Sequence, residues 1–380
     1  MTMRLETNLN FVTFGGSLLE GLLNYDWALP LQGSSEELGF AMGSHIGLIR
    51  SRNEDRLAVA RVQALNSETY TVALVCDGVG GSADGDRAAT FAIFAVLIEL
   101  CSLRTRPPIA DLATFLVKSA DEFVRRELGG RGTTTLSMYL ASASGPSVCA
   151  SVGDSRVYSW SRESQVVQVT TDDTVENELK ALPGDHEALL KARGLKGRLS
   201  QAVGETGRSS DELRVQLFSR DFFGVGVFLG SDGLWKSAKD FENVMLYSRS
   251  ALEGVRRAIN LANWVGGLDN VSIIAIEDVQ RFCSVGRPSA LGPRQTSLSL
   301  WIGPSSFTFV GESRPRWTVQ ENQEKHDKPV KTKRKPSKSK RSDPKLDAPQ
   351  LALSEEKNSS IEPKPIIEVV LGSGGLKGAS

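Results

Sequence analysis

Acidic residues lie at the ends of several apolar runs in this chain of 380 residues. The run "VALVC" is followed by Asp77, and "GVGVFLGS" is followed by Asp232. In the reverse order, Glu54 and Asp55 come directly before "RLAVARV", and Asp269 precedes "NVSIIAIE". If these runs are antiparallel strands, all of the acids reach the same edge of the sheets. The spacing therefore predicts a carboxylate cluster.

A turn containing Asp154 adds a further carboxylate, because "SVCASVGDSRVYSW" is typical of two strands joined by a tight loop. Unit charges about 4 Å apart at an effective dielectric of about 20 interact by about 4 kcal/mol, so converging carboxylates need cations to stay ionised. The chain has only three histidines. Hard oxygen ligands favour magnesium or manganese over zinc or copper. The acids predict a two-metal site.

Each acidic motif also has a simpler interpretation. An Asp-Gly pair after a strand is often only a turn. Asp84 and Asp86 precede a helical pattern and are interpreted as N-caps rather than ligands. Loops such as "DGVGG" bind phosphate, bind metal or simply turn in different proteins. The number of motifs and their order favour the metal site.

The elements that position these acids are predicted from apolar periodicity between about 40 and 278. Strands are predicted at 41–49, 56–63, 69–76, 135–142, 147–152, 156–160, 166–170, 212–218, 224–230 and 271–278. Helices are predicted at about 86–103, 109–128, 186–194, 237–247 and 249–265. Strands that follow one another closely imply antiparallel sheets with helices on their outer faces.

Composition limits the class of protein. The 45 basic and 45 acidic residues balance, so no overall field steers the chain to nucleic acid or an acidic membrane. The four cysteines lack CxxC spacing and lie mostly in apolar runs, which favours reduced packing residues and a cytoplasmic location. Glu20 and Asp26 interrupt the N-terminal apolar part, so neither a signal peptide nor a membrane span is expected. Specific nucleic-acid binding is not expected either.

Six motifs, taken in order, resemble the metal-dependent Ser/Thr protein phosphatases of the 2C family, particularly its bacterial branch. They are "GLIRSRNED", "DGVGGSADGD", "RGTTT", "VGDSRVY", "SDGLW" and "LDNVS". The similarity covers about 44 to 277. It implies an α+β fold, a four-layer αββα sandwich of two antiparallel sheets flanked by helices.

The resemblance implies a set of metal ligands. Asp77 matches the carboxylate that bridges two Mn²⁺ or Mg²⁺ ions, and the carbonyl of Gly78 completes one coordination sphere. Asp232 and Asp269 match the terminal ligands of the second ion. Asp154 matches a ligand of a third, weaker metal found in bacterial relatives.

The resemblance also implies the catalytic residues. Glu54 and Asp55 match the acids that hold metal-bound waters, and Arg50 matches the arginine that grips the substrate phosphate. Two cations lower the pKa of a shared water, so that hydroxide is available to attack the phosphate near neutral pH. Val79 stands where animal members carry a histidine proposed to protonate the leaving group. That proton must come from elsewhere, for example from a metal-bound water.

The implied function is removal of phosphate from serine and threonine in phosphoprotein substrates, opposing a Ser/Thr kinase system, by a monomer. Residues 172–204 occupy the place of the family's mobile flap, where substrate selection is expected. An alternative is a catalytically silent member that serves as a regulatory or scaffolding module. Retention of every metal-ligand position favours the enzyme. A third hypothesis is a hydrolase of small phosphate esters.

Four segments follow. Residues 1–39 form an N-terminal extension, 40–280 the phosphatase 2C-like catalytic domain, 281–320 a small β-rich appendix and 321–380 a basic, Ser/Pro-rich tail. In the appendix, "SLSLWIG" and "SFTFVG" could form a hairpin. The tail core has seven basic residues in eleven at 331–341, so we expect disorder and, if it binds anything, an anionic partner. Near the end, "PIIEVVLGSGG" regains a strand-like run.

Overall fold

The computed structural model of the chain describes residues 10–80, 82–160, 165–180, 182–183, 190–191, 193–237, 239–284, 295–312 and 368–370. Two antiparallel sheets pack face to face, and helices cover their outer faces. This confirms the α+β sandwich of two antiparallel sheets flanked by helices.

The larger sheet has eight strands among the described residues. Its strands are β3 (Asp55–Gln63), β4 (Thr69–Asp77), β5 (Leu136–Ser142), β6 (Ser147–Val152), β9 (Gln216–Ser219), β12 (Gln295–Ile302), β13 (Ser305–Glu312) and β14 (Glu368–Val370). Their order across the sheet is β14-β13-β12-β3-β4-β5-β6-β9. The central strands β4, β5 and β6 are almost wholly buried on both faces, which explains their continuous apolar sequences.

The smaller sheet has six described strands. They are β1 (Leu31–Ser35), β2 (Phe40–His45), β7 (Arg156–Trp160), β8 (Val167–Gln168), β10 (Gly226–Gly230) and β11 (Val271–Ile276). Their order is β1-β2-β11-β10-β7-β8. Since β2 leads to β3 and β6 leads to β7, the chain crosses between the sheets at the same end as the acidic motifs.

Helices cover both sheets. The described helices are α1 (Asn10–Leu23), α2 (Gly85–Ser102), α3 (Ile109–Leu128), α4 (Val175–Lys180), α5 (Asp232–Ser237), α6 (Phe241–Leu246), α7 (Ala251–Trp264) and α8 (Val279–Ser284). Helices α2 and α3 pack on the larger sheet, and α7 packs on the smaller one. Within the described ranges, no helix combines the length and the apolar character that a bilayer span requires.

Several predicted elements differ from those observed. The predicted helix at 237–247 is two helices, α5 and α6, and the predicted strand at 41–49 ends at His45. It ends there because Gly47 has a φ of 85°, and a Cβ at that position would lie 2.4 Å from the Asp269 carbonyl oxygen. Most of the helix predicted at 186–194 lies outside the described residues.

The N-terminal and C-terminal segments add to the sandwich. The predicted hairpin is confirmed as β12 and β13, which continue the larger sheet beyond β3. Helix α1 packs against α2 and β13. The predicted strand-like run near the C-terminus is confirmed as β14, which pairs with β13. The rest of the tail at 321–380, for which disorder was predicted, lies outside the described residues. The four-segment division stays a prediction.

Candidate active site

Four acidic residues meet where the two sheets face each other. Asp55 begins β3 and lies directly opposite Asp77, the last residue of β4. In the smaller sheet, Asp232 begins α5 just after β10, and Asp269 lies two residues before β11. Strands β10 and β11 are antiparallel neighbours, so the end of one lies beside the beginning of the other.

Electrostatics shows that five carboxylates converge. The pKa of Asp77 is raised well above its ordinary value by burial and by repulsion from Asp55, Asp232, Asp154 and Asp269. Burial, opposed by hydrogen bonds and assisted by Asp232 and Asp269, raises the pKa of Asp55 to about 7. The structure thus brings together five of the eight predicted site residues through their negative charge, and positive charge is what such a cluster lacks.

The donor set fits a hard cation. The Oδ2 atom of Asp55 accepts a hydrogen bond from the Ser231 hydroxyl at 2.7 Å, whereas its buried Oδ1 atom has no partner among the described residues. In the same part of the chain, no three Asp, Glu, His or Cys side chains form a ready-made ligand set for one ion. Because Mg²⁺ commonly uses one or two carboxylates and several waters, such a set is not required.

The backbone around Asp77 is held by threonines and glycines. The Asp77 N–H donates to the Thr135 hydroxyl at 3.0 Å, and the Asp77 carbonyl accepts from the Thr135 N–H at 2.9 Å. A Cβ on Gly78 would lie 2.5 Å from the backbone of Gly85, so a side chain cannot be accommodated without displacing the backbone. The Gly78 N–H donates to the Glu54 carbonyl at 3.2 Å.

Arg50 and Glu54 lie on the loop between β2 and β3. The Arg50 guanidinium donates to the Asp269 carboxylate at 2.8 Å, and its side chain is 38% exposed. Burial alone would lower the pKa of Arg50, but Asp269, Glu54 and Asp232 together raise it, so the cation persists. Burial raises the pKa of Glu54, and Arg52 at 3.4 Å opposes this effect. The site therefore contains a partly exposed guanidinium beside the acids.

Asn270 positions this loop, a role that the sequence motifs did not indicate. Its Oδ1 atom accepts from the Glu54 N–H at 2.7 Å. Its Nδ2 group donates to the carbonyls of Ile46 and Arg52 at 2.8 and 2.9 Å. The side chain is buried, and its partners are more than 200 positions away in sequence. The motif "LDN" names the residue but not these partners.

Replacement of Asn270 by alanine is expected to destabilise the fold. Three backbone groups would lose their buried partner, and an unsatisfied buried polar group costs about 1–3 kcal/mol. Urea unfolding should show this loss in the free energy of unfolding. The matched variant Asn263→Ala removes an asparagine from α7 whose Oδ1 has no partner among the described residues, so a smaller loss is expected. Equal losses would contradict the positioning role.

A lysine lies between two of the acids, which the sequence motifs also did not indicate. Lys236 Nζ is 3.2 Å from Asp154 Oδ2 and also binds the Asp232 carboxylate. Asp154 lies in the turn between β6 and β7, and the Trp235 Nε1–H donates to its carbonyl at 3.2 Å. The Arg156 guanidinium lies 3.4 Å from the centre of the Trp235 ring.

The two aspartates interpreted as N-caps do not cap through their side chains. Asp84 occupies the position before α2 but makes no side-chain capping hydrogen bond. It forms ion pairs with Arg87 and Arg131 instead. Asp86 lies in the first turn of α2, where it is 3.7 Å from the Arg56 guanidinium. Their carboxylates are therefore engaged with arginines rather than with the N–H groups of the helix.

A cavity of about 500 Å³ opens beside Asp154 and Lys236. Its opposite wall consists of residues 168–180 and 196–197, within the predicted flap at 172–204. Of that flap, residues 181, 184–189 and 192 lie outside the described ranges. The cavity gives a bound polypeptide room next to the acids.

Comparison with known proteins finds bacterial phosphatases. No protein-family model matches the chain. The Serine/threonine phosphatase stp of Listeria welshimeri is 26% identical over 242 residues, which cover 61% of this chain and 92% of that protein. A Putative protein phosphatase 2C-type of Streptococcus pyogenes is 25% identical over 253 residues, covering 63% of this chain and 99% of that protein.

Solved structures show the same fold. Serine/threonine phosphatase Stp1 from Staphylococcus aureus has a TM-score of 0.53 at 22% identity, covering 64% of this chain and 98% of that one. The Mycobacterium tuberculosis phosphatase PstP/Ppp has a TM-score of 0.50 at 24% identity, covering 66% and 100%. Six ordered motifs, the sandwich fold and the curated relatives agree, and the chain is a member of the bacterial branch of the protein phosphatase 2C family.

Proposed function

We propose that this protein is a Mn²⁺- or Mg²⁺-dependent phosphatase that hydrolyses phosphoserine and phosphothreonine in proteins. The observation that carries the proposal is the convergence of five carboxylates beside a partly exposed guanidinium. The similarity to curated proteins named as Ser/Thr phosphatases supports the reaction class. The opposed kinase, the cytoplasmic location and the monomeric state are parts of the same proposal.

Two divalent ions would be held by Asp77, Asp232, Asp269 and the carbonyl of Gly78. When bound, such ions lower the pKa of water and neutralise phosphate. The unpartnered Oδ1 of Asp55 fits the assignment of this residue to holding a water beside the ions. The hydroxyl of Ser231 fixes the other oxygen of the same carboxylate. The rotamer of Asp55 is thus set before any ligand arrives.

Arg50 is proposed to bind the substrate phosphate. A planar guanidinium donates to two phosphate oxygens at once and so fixes the direction of the bond that breaks. Asp269 orients this group and keeps it charged. Val79 is apolar and cannot supply the proton that the departing serine or threonine oxygen requires.

Purified protein should release phosphate from a phosphothreonine peptide and from p-nitrophenyl phosphate when Mn²⁺ is present. A chelator should abolish both reactions, and re-addition of Mn²⁺ should restore them. Faster turnover of phosphorylated metabolites than of phosphopeptides would favour the small-ester hydrolase instead. Metal binding without turnover of any substrate would overturn the proposal and favour the catalytically silent module.

Substitution of Arg50 by lysine tests phosphate recognition. The loss of bidentate charge-assisted hydrogen bonds, at about 1.5–3 kcal/mol, should lower kcat/KM by roughly 10- to 150-fold. Arg256→Lys, on the exposed face of α7, is the matched control and should leave kcat/KM unchanged. Equal kcat/KM values for the two variants would contradict the role of Arg50.

A further inference from the structure

The carboxylates of Asp154 and Asp232 share one ammonium group. Lys236 lies one helical turn after Asp232 on α5, so the two side chains occupy the same face of the helix. The same ammonium reaches Asp154 Oδ2 at 3.2 Å, across 82 positions of sequence. Asp154 belongs to the connection between the two sheets, so the lysine joins α5 to that connection.

The ammonium stands where a cation is needed. The side chains of Asp154 and Asp232 are only 6% and 16% exposed, and two buried carboxylates close together repel unless a positive charge lies between them. Burial and Asp232 raise the pKa of Asp154 to about 6, and Lys236 opposes this rise. Burial alone would lower the pKa of Lys236, but the two acids together raise it, so the group stays charged.

The surrounding residues hold the lysine in this place. Trp235 donates through Nε1 to the Asp154 carbonyl, and its ring centre lies 5.0 Å from Lys236 Nζ. On the other side of Asp154, the Arg156 guanidinium forms two hydrogen bonds to Asp172 at 2.8 and 2.7 Å. The ammonium is therefore a packed part of the site, although the lysine side chain is 40% exposed.

We propose that Lys236 is the resident cation of the Asp154–Asp232 pair, and that it replaces the third, weaker metal that Asp154 was expected to bind. The inference rests on the proposed function, since it concerns how many divalent ions that site takes up. A tethered group acts at an effective concentration in the millimolar range or above. A third ion of millimolar affinity cannot displace an ammonium tethered in this way. The chain should therefore bind two ions.

The first test counts Mn²⁺ ions per chain by equilibrium dialysis and atomic absorption at 1–10 mM free Mn²⁺, a range of about the affinity considered. The wild type should bind two ions, and Lys236→Gln should bind three. Lys239→Gln, an exposed lysine just beyond α5, is the matched control and should bind two. Three ions in the wild type, or two in Lys236→Gln, would overturn the inference while leaving the proposed function intact.

The second test needs no metal and no turnover. In chelator, Lys236→Gln should melt below the wild type by about 2–4 °C for each kcal/mol of lost pairing. In the background of Asp154→Asn, the same substitution should cost much less, because one carboxylate of the pair is already neutral. If the two substitutions are additive, the lysine is not the counter-ion of Asp154. If the wild type binds no Mn²⁺, the proposed function fails, and this cycle still decides the role of Lys236.

Discussion

Asp77→Asn is expected to lose hydrolysis by at least roughly a hundredfold, because even residues that only support metal ligands contribute about 10- to 100-fold. In chelator, the same variant should be more stable than the wild type. Asp77 is repelled by four other carboxylates, and asparagine removes that repulsion while keeping the shape of the side chain. Activity and stability should thus change in opposite directions, as expected for a strained functional site.

The test compares kcat/KM with Mn²⁺ and the melting temperature in chelator for wild type and variant. An increase of about 2–4 °C is expected for each kcal/mol of repulsion removed. Asp221→Asn, an exposed aspartate outside the site, is the control and should change neither quantity. A less stable Asp77→Asn protein in chelator would show that Asp77 is stabilised by its neighbours, contrary to the charge cluster.

Metal-free protein is expected to become less stable as the pH rises from 4 to 8, which is the reverse of the usual behaviour of acidic groups. The pKa of Asp55 is about 7 in the folded state and 3.8 ordinarily, so the folded protein binds more protons across this range. Stability from such a group is complete below its unfolded pKa and is lost as the pH rises through its folded pKa. Each such group contributes up to about 1.4 kcal/mol per pH unit.

Urea unfolding at pH 5 and pH 8, with chelator and with Mn²⁺, measures this dependence. The free energy of unfolding should fall between the two pH values in chelator, and Mn²⁺ should remove most of the fall. Glu99 on α2 provides an internal control, because burial alone raises its pKa to about 7, away from the acidic cluster. Glu99→Gln should therefore reduce the part of the fall that Mn²⁺ leaves. A stability that rises with pH in chelator would contradict the cluster.

The sequence predicted the centre of the fold well because several local signals agree there. In β3 and β4, β-branched and apolar residues fill every buried position, and an acid marks the end of each strand. The antiparallel order of the runs then places Asp55 opposite Asp77 without further information. Convergence of the acids therefore follows from strand boundaries, which a sequence displays directly.

Other parts depended on tertiary contacts that a sequence does not display. Helix α1 contains two adjacent glycines, which disfavour a helix, and it forms because it packs on α2 and β13. The pairing of Lys236 with Asp232 follows from helical spacing, but its second partner, Asp154, is 82 positions away. Asn270 is similar, since the loop it holds is closed by partners on a distant segment.

The hydrogen bond from Ser231 to Asp55 joins a segment of the smaller sheet to the first residue of a strand in the larger one. The Ser231 hydroxyl also accepts from the Ser272 N–H at 2.9 Å. The layers are thus already latched at this end, and any ligand that engages acids from both would latch them further. Amide hydrogen exchange of β4 and β11 should consequently slow together on ligand loading, as a single cooperative opening unit.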